Sequence, residues 1–105
     1  MGEIDNLISP FLIEGVRLWT GWGTSRLPTR DDASIVRRFG DDIACRLLPA
    51  IKSLEHDFYL SDARFRAANI QEMAKLASAQ FKQRYPSIAD EVATVFAWCY
   101  TFDFK

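Results

Sequence analysis

The sequence predicts an all-α fold: one small domain over residues 1–105, a bundle of about five helices with a long helix antiparallel to an aromatic-rich C-terminal helix. Three observations predict it. Apolar residues recur at i, i+4, i+7 and i+8 through most of the chain. Residues that cap or stop helices stand at the breaks between these runs. A chain of 105 residues, 49% hydrophobic and 13% aromatic, can enclose one core.

The C-terminal run is the most apolar. Ile88, Val92, Val95, Phe96, Cys99 and Phe102 share one helical face, and Ala89, Ala93, Ala97, Trp98 and Tyr100 widen it beyond a single stripe. A helix apolar over most of its circumference belongs inside a bundle, so this one is expected at its centre with Phe96 and Cys99 buried. Ser87 and Asp90 form a Ser-x-x-acid box that would cap it, with Pro86 just outside. Residues 101–105 alternate polar and apolar, which fits either a last helical turn or an extended tail.

Taken in order, Ile4, Leu7, Ile8, Phe11, Leu12, Leu18 and Trp19 are in helical register, broken at Ser9-Pro10. Ser9 is expected to cap a helix from about Pro10 to Trp19, after a short turn, and Gly15 permits close approach of a neighbour. A loop without periodicity follows, from Thr20 to Pro28. Thr29 with Asp32 makes a second capping box for a short helix carrying Ala33, Ile35, Val36 and Phe39, stopped at Gly40. The next helix should start at Asp41 or Asp42 with the stripe Ile43, Leu47, Ile51, Leu54 and Phe58, kinked or split by Pro49 near Leu48. Ser61 should then cap a long helix from about Asp62 to Arg84. Its seam of Ala63, Ala67, Ile70, Ala74, Ala77 and Phe81, with Met73 and Leu76 beside it, makes it the antiparallel partner of the terminal helix across Tyr85-Pro86.

Charge is uninformative: 13 basic against 14 acidic residues leave a net −1, too little to select nucleic acid or an anionic membrane. No apolar run approaches the roughly 20 residues of a membrane span, and the N-terminal residues lack a secretory pattern, so the chain reads as soluble and cytoplasmic. Gly2 is not followed by Ser or Thr at position 6, where Asn6 stands, so it does not read as a myristoylation site. Cys45 and Cys99, each in an apolar helical neighbourhood, read as two reduced, buried thiols.

Motifs that carry chemistry are missing. The single histidine, His56 in Glu55-His56-Asp57, excludes sites that need two. Neither cysteine is marked as activated beside it. Gly21-Trp22-Gly23 lacks the third glycine and preceding strand of a dinucleotide site and the lysine of a phosphate loop. No catalytic, cofactor or metal residue is assigned.

Two patterns resemble nucleic-acid readers. Thr29–Phe39 and Asp41–Phe58 outline a helix-turn-helix, but the second helix would offer Asp41 and Asp42 to phosphates. Arg64, Arg66, Lys75, Lys82 and Arg84 against Asp62 and Glu72 make the long helix locally basic.

The candidate interface is Trp22 with Arg26 and Arg30, on a loop where glycines would display the indole and the arginines would reach a partner's carboxylates or phosphates. The alternative is that Trp22 folds back to plug the bundle's open end. The reading that follows is a small non-catalytic protein that works by masking a partner's surface, a size and shape shared by bacterial toxin-immunity proteins. A second reading is a small helical enzyme or ligand-binding bundle using Glu55, His56 and Asp57. A third is an adaptor or regulator that binds nucleic acid or phosphate through the basic helix.

Overall fold

A computed structural model describes residues 8–105; the expectations for Gly2, Ile4 and Leu7 lie outside the described residues. A 3-10 turn, Ser9–Phe11, leads into α1 (Leu12–Thr20), α2 (Asp32–Tyr59), α3 (Ala63–Arg66), α4 (Ile70–Arg84) and α5 (Asp90–Phe104). No strand occurs among the described residues. α1, α2, α4 and α5 are the substantial helices and α3 is a single turn. The two helices predicted on either side of Gly40 are the two segments of α2, whereas the predicted long helix is divided into α3 and α4.

α2 is two helical segments meeting at Gly40, which alone leaves helical geometry, at φ 84 and ψ 166, so the predicted stop at Gly40 and restart at Asp41 are both present. The chain bends there, and the loop that a helix-turn-helix needs is missing. That combination of angles is open essentially to glycine alone, and nothing lies within 4 Å of where a Cβ would stand. Gly40→Ala is therefore expected to lower stability by about 1–3 kcal/mol through backbone strain alone, measurable by denaturant unfolding. A neutral result would mean the bend relaxes into one straight helix.

Pro49 sits inside α2, which is not split there, since Gly40 alone departs from helical φ/ψ. Proline removes one backbone donor, and Pro49 and Cys45, whose carbonyl loses its helical partner, are both exposed, so water can take the place of the lost bond.

Several predicted caps are displaced. The N-cap of α2 is Asp31, whose carboxylate accepts from the Ser34 N–H, while the Thr29 hydroxyl donates to the Trp19 carbonyl. α5 starts at Asp90 after Ala89 and has no side-chain cap, so the Ser87 box does not form. Ser9 opens a 3-10 turn and does not cap α1. Ser61 accepts from the Ala63 N–H at the start of α3, but the chain turns extended at Ala67 and α4 begins after Asn69, which caps it by accepting from the Glu72 N–H, while Glu72 accepts from the Ala68 N–H just outside.

α5 is the central helix. It pairs most extensively with α4 and also packs on α1 and α2, burying Val92, Ala93, Val95, Phe96, Ala97, Cys99 and Tyr100. α4 runs antiparallel to it: Lys82 near the end of α4 pairs with Asp90 at the start of α5, while Ala74 near the start of α4 and Thr101 near the end of α5 line one trough. The face of α4 that meets the core is Met73, Ala77 and Phe81; Ile70 is 48% exposed. α5 remains helical to Phe104, so residues 101–104 are a last turn and not an extended tail. The Tyr100 hydroxyl, fully buried, donates to the Ser61 carbonyl at 2.9 Å and accepts from the Arg64 N–H at 3.1 Å, which ties α3 to α5.

Candidate functional site

The loop after α1 is built by its own hydrogen bonds. Gly21 ends α1 in the left-handed region, φ 77, and a Cβ there would come within 2.7 Å of Ser25. The Thr24 and Ser25 N–H groups donate to the Gly21 carbonyl, and those of Thr29 and Asp31 donate back to Thr20 and Trp19. The loop is held against the end of α1, where the sequence reading expected a flexible display.

This arrangement delivers Trp22 onto α5. Trp22 is half-buried, with its ring edge-on to Trp98 at 5.2 Å between centroids. The two indoles flank an open trough of about 480 Å³ between α4 and α5. From α5 it is lined by Thr94, Ala97, Trp98 and Thr101, and from α4 by Ala74, Lys75 and Ser78. Lys75 also lines a second hollow of about 360 Å³, with Arg66, Ala67, Glu72 and Leu76, so the two meet at that lysine.

Arg26 and Arg30 do not share this surface. Arg26 is exposed farther along the loop. Arg30 is turned inward: its Nε donates to Glu55, its Nη2 donates to the Tyr59 hydroxyl at 3.1 Å, and its guanidinium stands 5.5 Å over the Trp19 ring. The Tyr59 hydroxyl in turn donates to Asp103 at 2.6 Å. One arginine thus joins α1, α2 and the end of α5. Burial pushes the Glu55 carboxyl above its ordinary value, and Arg30 offsets part of that. Burial and the hydrogen bond to Asp103 raise the Tyr59 phenol. Nearby, burial pushes the Cys99 thiol up to about 12. Cys45 is exposed, against expectation, because it falls on the solvent side of α2 beside Pro49.

Glu55, His56 and Asp57 point apart, since successive helical residues are turned about 100° from one another. Glu55 meets Arg30, His56 is exposed, and Asp57 accepts from the Tyr85 hydroxyl with Arg84 at 3.8 Å. Among the described residues no three of His, Cys, Asp and Glu are gathered to hold a metal ion.

The basic residues of the predicted long helix do not form a stripe either. Arg66 pairs with Asp62, Lys82 with Asp90 and Arg84 with Asp57. Arg64 stands between the rings of Phe65 and Phe104, at 4.6 and 4.4 Å.

Two contributors are not singled out by the sequence: Trp98 and Lys75. Trp98 reads from sequence only as part of a wide apolar arc, although Thr94, Ala97, Trp98 and Thr101 form the one stripe of that helix carrying threonines. That was its available signal. Lys75 was one cation among five.

No helix among the described residues is long and apolar enough to cross a membrane. No family model, no curated protein and no solved structure matches this chain.

Proposed function

We propose that this protein is a non-catalytic binding module that covers the surface of a protein partner, with the Trp22–Trp98 trough as its contact face. The observation that carries the reading is the half-buried indole pair, set by a rigid loop on one side and α5 on the other, and open over a floor of small side chains. Tryptophans in preorganised positions dominate binding energy because they bury large area at little entropic cost. Two free thiols fit a reducing compartment, and the cytoplasm is the proposed place of action. Neutralisation of a bacterial toxin by masking its working surface is the specific form proposed.

The test begins with co-purification of the partner from the source cells and its identification, followed by affinity measurements on purified components. Trp98→Ala and Trp22→Ala should each weaken binding at least about tenfold. Trp22→Ala should also lower stability by about 1 kcal/mol, since its edge contact with Trp98 is lost. Unchanged affinity in both variants, with each still folded, would assign the indoles to packing alone. Co-expression with a toxin encoded beside the gene should restore growth if neutralisation is the role, and continued toxicity would remove that form of the reading.

A further inference from the structure

We infer that the occupant of the trough is an acidic amphipathic segment of the protein partner, placing a carboxylate on Lys75 and an apolar side chain against Trp22 and Trp98. This rests on the binding-module reading above and adds the chemistry of the partner. The argument is one of charge complementarity. Lys75 is exposed at the junction of the two hollows and makes no hydrogen bond or ion pair among the described residues. Its neighbours in sequence are otherwise engaged: Lys82 by Asp90, Arg84 by Asp57 and Arg66 by Asp62. Glu72, the one acid lining either hollow, is turned to the start of α4, where its carboxylate accepts from the Ala68 N–H at 3.2 Å and its own N–H donates to Asn69.

The trough therefore holds one uncompensated cation among aromatic and small side chains. An apolar segment laid over it would strip water from the ammonium without replacing it, whereas a segment bearing a carboxylate at that point restores the partner and gains specificity. A second copy docked through the same face by two-fold symmetry brings the same trough, with Lys75 and no free acid, so the charge stays uncompensated. A nucleic acid strand could stack on the indoles, but tracking its phosphates needs a run of free cations, and here the neighbouring cations are already paired.

The test displays a random library of peptides of about 16 residues and selects binders on the full-length protein, then measures individual synthetic peptides by titration. Selected peptides should carry an excess of Asp and Glu beside aromatic or aliphatic residues, and should bind Trp98→Ala at least about tenfold more weakly. Lys75→Glu, a change on an exposed side chain, should weaken the acidic peptides at least about tenfold and improve binding of versions with Lys in place of the acid. Peptides that need Trp98 but show no acidic excess and ignore Lys75→Glu would overturn this inference while leaving the trough reading intact. Peptides indifferent to Trp98→Ala, or failure to select any, would overturn both. Competition by a single-stranded oligonucleotide, lost in Trp98→Ala, would replace the acidic segment with nucleic acid and overturn the inference.

Discussion

Phe58→Ala is expected to destabilise the protein by about 3–5 kcal/mol, a large share of the roughly 5–15 kcal/mol that holds a small domain folded. Phe58 ends the apolar stripe of α2 at 1% exposure, and its ring meets Phe81 of α4 and both Phe96 and Tyr100 of α5, with centroids 5.2 to 5.9 Å away. Removing it empties the place where three helices converge. The surrounding rings cannot simply close in, because the Tyr100 hydroxyl is anchored to Ser61 and Arg64. Phe96→Ala removes a second member of the same cluster, so the two losses should not add independently. Denaturant unfolding reads the effect as a fall in midpoint at constant slope. A loss below about 1 kcal/mol would mean that this ring cluster is not the centre of the core.

Arg30→Ala should cost about 2–3 kcal/mol, and its cost should depend on pH. Breaking a fully buried pair costs about 3–5 kcal/mol; here the figure is discounted because the side chains of Arg30 and Glu55 remain 33% and 20% exposed. The substitution leaves Glu55 half-buried without its cation and removes a donor to Tyr59 beside Asp103. Glu55 already titrates above its ordinary value because burial disfavours the carboxylate, and losing Arg30 raises it further. A carboxyl raised in the folded state favours folding while it is protonated and loses that contribution as pH rises through the folded value. The deficit of the variant relative to the parent should therefore be largest near neutral pH and shrink as pH falls toward the ordinary glutamate value of 4.5. Adding Glu55→Gln to Arg30→Ala should recover part of the loss at neutral pH and flatten its pH dependence. A deficit that is independent of pH would show that Arg30 acts through packing on Trp19 and not through charge.

What the sequence determined by itself was the class of fold and the identity of its centre. Val92, Val95, Phe96 and Cys99 are buried as their spacing requires, and so are Leu47, Ile51, Leu54 and Phe58, because helical periodicity is local and survives whatever the rest of the chain does. Gly40 was legible for the same reason: a residue without a Cβ between two apolar runs marks a change of direction. Capping was less legible. Ser87, Thr29 and Ser61 each had the right chemistry, but the N-caps are Ala89 for α5, Asp31 for α2 and Asn69 for α4, because Thr29 spends its hydroxyl on the Trp19 carbonyl and the chain turns extended at Ala67. Trp22 could be recognised as unusual and could not be placed, since its position depends on Trp98, a residue 76 positions away in the chain (98 − 22 = 76). Likewise, nothing local distinguishes Arg30 from Arg26, or Lys75 from Lys82. Which cation is consumed by the fold and which is left facing a trough is decided by where Glu55 and Asp90 arrive. Those are long-range encounters, so only the packed tertiary structure sets them.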